Sequence, residues 1–369
     1  MELYDLMTPV ENMLAAKCDA LRIPMGGTME LLPLCNMNCT MCYVRLNKEE
    51  MEKKGKMLSL EQWLRIAQEA KDSGVLYLLL TGGEPMLYPS FRELYTALTD
   101  MGFIITINTN GTMIDESMAD FLASRPCRRL NITLYGKDDE TYGRLCRNPH
   151  GFTQVMHAFD LLKERNIPFC FNVSITPENT DQMPAFVEIS RKYGVVIRAA
   201  SYMFPPVRRE NTSFHRLTPE QAVETNLRLY QLQYGDSGLK DVCRNMQHQL
   251  ETFHPSAKTS GLPCRAGKSG FWITWRGELM PCGMFNEPAV SLLDKPFMAA
   301  WREIVVLTEK LSLYSECCTC KYKPVCRVCG AGCYTEGAGD MSKKPEYLCE
   351  MARVIAERTK EIALKKEDL

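Results

Sequence analysis

Cys35-Asn36-Met37-Asn38-Cys39-Thr40-Met41-Cys42 is the stretch on which the fold turns. It directly follows an apolar run, Met29–Leu34, that reads as a strand, so it occupies a loop at a strand's carboxyl end, where α/β barrels collect their chemistry. The spacing is Cys-x3-Cys-x2-Cys with no fourth cysteine nearby. A cubane iron–sulfur cluster takes four thiolates. Three leave one iron with an open position, as a substrate-binding zinc site keeps one open. The competing reading is a three-thiolate zinc site completed by histidine. None of the five histidines lies within a hundred residues of Cys42, which weakens it.

Outward from this loop, residues 30 to 200 alternate short apolar runs with amphipathic stretches. The runs are Met29–Leu34, Val75–Leu80, Phe103–Ile107, Leu130–Leu134, Phe169–Ile175 and Val195–Ala199. Nearly continuous apolar strands suit a parallel sheet covered on both faces. Ser59-Leu60-Glu61-Gln62 has the form of a capping box, and Gly102 and Gly194 stand where helices end. Six strand–helix repeats imply an α/β sheet with right-handed crossovers, a full or partial barrel.

The rhythm stops after residue 200. Residues 204–211 read as a loop, and Thr218-Pro219-Glu220-Gln221 opens a new helix. Beyond residue 260 Gly, Pro and Cys dominate, and Phe271 to Met280 reads as a hairpin turning at Arg276-Gly277. Such a segment buries little apolar surface and is expected to fold around metal. Leu348 to about Leu364 is amphipathic and reads as a docking helix. The expected organisation is an N-terminal extension (1–28), a barrel (29–205), a bridging helical region (206–260), a small Cys-rich α+β domain (261–350) and a C-terminal helix (351–369).

Of 369 residues, 44 are basic and 45 acidic, for a net charge of −1. That lacks the electrostatic footprint of a nucleic-acid or anionic-membrane binder. The longest apolar run, Val75–Leu80, is too short to span a bilayer. The first seven residues carry two acids and no apolar core, unlike a signal peptide. A cytoplasmic protein with neither nucleic acid nor membrane as partner is expected. Twelve of the 17 cysteines fall in clusters, which without a secretory signal favours metal over disulfides. Cys18, Cys127, Cys146, Cys170 and Cys243 are scattered and read as buried thiols. The 22 methionines read as core fillers. The mixed-charge run 47–56 reads as a solvated loop.

After the second strand comes Thr81-Gly82-Gly83-Glu84-Pro85. Joined to the triple-cysteine spacing, this turn resembles the radical S-adenosylmethionine (radical SAM) superfamily over residues ~30 to 200, as a partial (β/α)6 barrel. The resemblance implies that Cys35, Cys39 and Cys42 hold a [4Fe–4S] cluster whose open iron is chelated by SAM. One electron then cleaves SAM to methionine and a 5′-deoxyadenosyl radical that takes hydrogen from the substrate. It implies that Gly82, Gly83, Glu84 and Pro85 hold the SAM amino group, and that Thr133 takes the place of a ribose-contacting serine. Asn110, Asn172, Ile175 and Arg198 are further candidate SAM contacts. Met41 stands where the family usually has an aromatic, with Tyr43 just after the third cysteine. Arg144 and Arg147 fall in a region that often carries a SAM-contacting basic residue, and a helix-surface role serves them equally well.

A second field runs from Cys264 over twelve residues to Gly277 and four more to Cys282. Cys317-Cys318-Thr319-Cys320, Cys326, Cys329, Cys333 and Cys349 follow. These nine cysteines exceed one four-thiolate site and suffice for two, while a zinc ribbon needs only two Cys-x2-Cys knuckles. The spacings resemble the SPASM domain of radical SAM peptide-modifying enzymes. That implies two auxiliary [4Fe–4S] clusters, one on Cys317, Cys320, Cys326 and Cys349, the other on Cys264, Cys282 and a later cysteine. Cys329 falls one residue short of the expected position and Cys333 three beyond it. Either or both fit: both would close the cluster, whereas one would leave an iron open to a substrate thiol. Cys317 and Cys318 remain alternatives.

The resemblance implies a radical SAM oxidoreductase that abstracts hydrogen from a peptide or protein, leading to oxidation or a cross-link such as a thioether. Rival readings are a sulfatase-maturating Cys/Ser oxidase, a small-molecule radical SAM dehydrogenase, and a non-catalytic zinc scaffold. Expected partners are the peptide or protein substrate and an external flavodoxin- or ferredoxin-like electron donor. No region of about a hundred residues precedes the barrel, so the substrate is expected to be held either by the core enzyme or by a separate leader-peptide-binding protein. No general base is assigned.

Overall fold

The computed structural model describes residues 8–209, 214–255, 262–326 and 329–365. Six strands alternate with helices: β1 (Gly26–Glu30), β2 (Tyr77–Thr81), β3 (Ile104–Thr109), β4 (Arg129–Leu134), β5 (Phe169–Ser174) and β6 (Ile197–Ala200). They pair parallel in sequence order, as the six apolar runs imply. The helices between them start and stop where the sequence signals. Ser59 and Thr218 each close a capping box, and Gly194 ends its helix in the left-handed region. This is the partial (β/α)6 barrel.

The first strand differs from its expected span. The ladder occupies Gly26–Glu30, and residues 31–34 continue as a hydrogen-bonded edge beside the next turn. Two glycines ordinarily argue against a strand. Here a Cβ on Gly27 would lie 2.0 Å from the Phe271 ring, so the glycine makes room for a neighbour from far along the chain.

That neighbour is β7 (Gly270–Ile273), which pairs parallel to β1. The expected hairpin is there, with β8 (Glu278–Met280) antiparallel to β7 and Gly277 at positive φ in the turn. Together with β9 (Val290–Ser291) it extends the barrel sheet to nine strands, in the order β6-β5-β4-β3-β2-β1-β7-β8-β9. Helix Phe297–Glu309 covers the extension, with Phe271 packed edge-on against Phe297 at 5.2 Å. The long helix Pro219–Glu251, kinked at Gly235, packs along helix Glu346–Leu364, and the two share a small apolar cluster around Leu227, Cys243 and Val354. Of the loop expected over 204–211, residues 210 and 211 lie outside the described part. The run 47–56 is not simply a loop: Asn47 caps a helix over Lys48–Lys54 through a box with Glu50, which local spacing permits and the charge pattern hid.

The strands are also not apolar on both faces. Leu130, Ile132 and Leu134 enter the apolar layer under the helices, whereas Arg129, Asn131 and Thr133 point the other way. The same parity puts Thr28 and Glu30 of β1, Asn108 of β3, Cys170 and Asn172 of β5 and Arg198 of β6 on the inner face. The barrel interior is therefore polar. At its amino end Glu11 of helix Pro9–Leu21 accepts from Tyr77 and Arg128 at 2.7 Å each, which fastens the helix beneath β2 and β4.

Candidate active site

The turn after β2 presses against the segment that delivers the first cysteines. Gly83 N donates to Leu32 O at 2.8 Å and Glu84 N to Leu34 O at 2.9 Å. A Cβ would stand 2.4 Å from Leu32 O at Gly82 and 2.2 Å from Leu34 O at Gly83, so only glycine permits this approach. The Glu84 carboxylate is fully buried and accepts from Thr109 Oγ1 (2.8 Å), Asn110 N (2.8 Å) and Met86 N (3.2 Å). Burial pushes its carboxyl up to about 7 against those three donors. Asn110 carries the connection onward, its Nδ2 lying 3.6 Å from Cys35 Sγ and 2.8 Å from Asn36 Oδ1. Glu84 thus braces the end of β3 and, through Asn110, the first cysteine.

The rest of the loop is tied to helix Asp139–Cys146: Asn38 N donates to Cys146 O at 2.9 Å and Thr40 N to Leu145 O at 3.0 Å. Cys35 Sγ accepts from Met37 N at 3.4 Å and Cys42 Sγ from Arg45 N at 3.3 Å. Burial pushes the Cys35 thiol up to about 12, and Cys39 and Cys42 stand within its electrostatic reach. Buried sulfurs that already receive amide hydrogens suit thiolates compensated by a bound cationic cluster.

Thr133, Asn172 and Arg198 are register partners across β4, β5 and β6, so three of the sequence candidates form one row on the inner face. Ile175 does not join them; it is fully buried in the apolar layer with Val173. Met41 is buried in the same layer and Pro85 opens the turn after Glu84. Arg144 donates to Glu178 O on the surface, and Arg147 ends its helix in the left-handed region.

Two cysteines of the second field, Cys264 and Cys282, belong to the other end of the barrel, whereas helix Gly330–Glu336 is tied through Glu336 to Tyr202, just past the carboxyl end of β6. Cys264 precedes β7, and Cys282 follows the antiparallel β8, so both lie at the amino end of the parallel strands. Burial pushes the Cys282 thiol up to about 12, and its thiol neighbours are Cys264 and Cys329. Cys329 Sγ accepts from Gly332 N at 3.2 Å. Cys333 is fully buried and shares a hydrogen bond with Cys317, which lowers the Cys317 thiol and raises its own; Cys326 is nearby. Cys349 faces Cys317 and Cys320. Among the described residues no three His, Cys, Asp or Glu side chains converge on a single ion position.

Between the two ends runs a polar bridge that the sequence did not announce. Glu30, fully buried, forms a two-pronged pair with Arg208 (2.9 and 3.1 Å) and accepts from Trp272 Nε1 at 2.7 Å. Arg208 also donates to Gly283 O at 3.0 Å, one residue past Cys282. Tyr43 lies within electrostatic reach of Arg208, Cys282 and Cys42, and burial raises its phenol. Glu30 ends a strand and Arg208 sits in a loop, so no local pattern pairs them across 178 residues.

Comparison with known proteins agrees with this architecture. The radical SAM superfamily model matches residues 29–188. The AdoMet-dependent heme synthase of Methanosarcina barkeri is 25% identical over 334 residues, 86% of this chain and 94% of that protein. The sporulation killing factor maturation protein SkfB of Bacillus subtilis is 26% identical over 74% of this chain and 63% of its own length. The crystal structure of Streptococcus suis SuiB bound to precursor peptide SuiA superposes with a TM-score of 0.68 at 19% identity, covering 93% of this chain and 80% of SuiB. Residues 29–188 are a radical SAM domain, which implies SAM and a [4Fe–4S] cluster, and the chain is an enzyme.

Proposed function

We propose that the enzyme modifies a peptide or protein by hydrogen abstraction inside the barrel, leading to oxidation or a cross-link such as a thioether. The observation that carries the reading is the polar interior, with the Cys35–Cys42 loop at one end and Cys264 and Cys282 towards the other, spanned by Tyr43, Arg208, Glu30 and Trp272. Relatives named for peptide maturation, including SkfB and PqqA peptide cyclase, point the same way.

When bound at Cys35, Cys39 and Cys42, the cluster and SAM supply the 5′-deoxyadenosyl radical. The chain's own residues hold that centre. Asn110 and the amides of Met37 and Arg45 fix the thiolates, the Gly82-Gly83 turn brings the backbone close, and Thr133 and Asn172 offer polar atoms along one row. Cys264, Cys282 and Cys329 form one auxiliary set with three thiolates, one short of a closed cubane. Cys317, Cys320, Cys326 and Cys349 form the other, with Cys333 against Cys317. A zinc ion would draw each sulfur to about 2.3 Å, whereas cubane thiolates bind separate irons. An external flavodoxin- or ferredoxin-like protein delivers the electron, the core enzyme or a partner protein holds the substrate, and the setting is the cytoplasm. No helix among the described residues is long and apolar enough to cross a membrane.

The test is anaerobic incubation with SAM, a low-potential reductant and a pool of cysteine-containing peptides. Formation of 5′-deoxyadenosine together with a peptide that has lost two hydrogen atoms is expected. Formation of 5′-deoxyadenosine with hydrogen loss only from small molecules would refute the peptide substrate.

A further inference from the structure

Arg128 and Arg129 are neighbours with opposite fates. Arg128 lies at the amino end of the barrel, over the Tyr77 ring, and pairs with Glu11 at 2.7 Å. Arg129 points in, is 8% exposed, and spends its Nε on Asn131 Oδ1 at 2.7 Å. Among the described residues no carboxylate pairs with Arg129 or with Arg198, whose Nε is buried without a hydrogen-bond partner. Asn131 is itself held by Asn108 at 2.7 Å and by the Cys170 thiol at 3.2 Å, so the floor beneath the two guanidiniums is neutral. Desolvation holds Arg129 below its usual range, and the like charge of Arg198 adds to that. Buried unpaired charge is expensive, and Arg129 is such a group; the half-buried Arg198, four strand residues nearer the carboxyl end on the row of Thr133 and Asn172, puts a second unpaired guanidinium within its electrostatic reach.

We infer that Arg129 and Arg198 form an anion site inside the barrel that receives a carboxylate of the substrate, such as an aspartate or glutamate side chain of a peptide. The inference rests on the peptide-modifying reading and names the substrate feature it recognises. Arg129 sets the depth of this carboxylate in the barrel, while Arg198 stands on the row of Thr133 and Asn172, nearer the SAM end. Arg129 opens β4 on the row of Thr106, Leu79, Thr28 and Trp272, whereas the Cys35–Cys42 loop leaves the opposite end of the sheet. Five strand residues separate Arg129 from the carboxyl end of β4, about 16 Å. A substrate anchored at this row lies between the two cysteine sets. Guanidinium–carboxylate pairing supplies both charge and direction there, as a neutral amide of the same shape does not.

The probes are N-acetyl-glutamate α-amide, its glutamine isostere, glutarate and SAM. Each is titrated by calorimetry into anaerobically prepared holoenzyme and into Arg129→Gln and Arg198→Gln. The glutamate probe binds the wild type at least tenfold tighter than the glutamine probe, both variants lose that preference, and SAM affinity stays within threefold. Removing either unpaired guanidinium also raises the melting temperature without probe, which the half-buried Arg198→Gln reports even if Arg129→Gln misfolds. Equal binding of the two amides to the wild type, or a preference that survives both substitutions, overturns the site. A tenfold loss of SAM affinity in the variants overturns it too, by assigning the arginines to SAM. Glutarate binding as tightly as the glutamate probe keeps the carboxylate site and counts against a peptide substrate.

Discussion

The two cysteine fields are held by different means. Cys35, Cys39 and Cys42 sit on a loop whose backbone is bonded on both sides, to the Gly82-Gly83-Glu84 turn and to the end of helix Asp139–Cys146. Cys317, Cys320 and Cys326 lie in short turns and Cys333 in the short helix Gly330–Glu336, beside a small apolar cluster whose buried members among the described residues are Leu262, Met280, Phe285, Ala331, Cys333 and Met341. The first loop has a shape of its own from the strand ladder. The second has little apolar burial, and its order depends on what the thiols bind. Metal removal should therefore separate them: the barrel keeps its protection from amide exchange, while residues 314–349 lose theirs.

Ligand substitutions probe the contrast most strongly. Cys39→Ala is expected to remove about four irons per chain and to abolish SAM cleavage, with the second field's clusters intact by electron paramagnetic resonance. Retained cleavage would break the assignment. Cys329→Ala should likewise cost about four irons, whereas Cys333→Ala should leave the set of Cys264 and Cys282 intact. The reverse result would exchange the two residues' roles.

A smaller effect is expected where the two regions are joined. Arg208→Gln leaves the buried Glu30 without its partner, at a cost of about 3–5 kcal/mol. Denaturant unfolding should show this loss, and the paired replacement Glu30→Gln with Arg208→Gln should recover part of it. No coupling in that double-mutant cycle would mean that the bridge does not join the regions.

The smallest effect belongs to the amino-end plug. Arg128 and the other donors hold the Glu11 carboxyl down at about 2, against 4.5 ordinarily. Its contribution is full above 4.5 and fades as pH falls towards 2, because the unfolded state takes up the proton first. Glu11→Gln should lower the melting temperature by a few degrees at pH 7, and the gap to wild type should close across that acid window. A gap independent of pH would remove the ion pair from the account.

Much of this was legible in the sequence because it is local. Six strands, the boxes at Ser59 and Thr218, the glycine stop at Gly194 and the hairpin turn at Gly277 all follow from patterns a few residues long. What escaped is nonlocal. The room that Gly27 leaves for Phe271 of β7 is visible only in the fold, and Glu30 finds Arg208 only there. The inward-facing Arg129, Asn131, Cys170 and Arg198 were visible as letters, but apolar runs were read as two-faced because the alternation is short in each strand. Glu84 was foreseen at the right turn by resemblance; its observed partners are Thr109, Asn110 and Met86, which brace the cysteine loop.

The central claim, that one barrel interior is bounded by separate iron–sulfur sites, is tested most directly by iron, sulfide and zinc per chain after anaerobic purification. Roughly twelve irons with matching sulfide and negligible zinc are expected for three clusters. About four irons accompanied by zinc would contradict it, leaving the radical centre at Cys35, Cys39 and Cys42 and reducing the second field to a structural zinc fold.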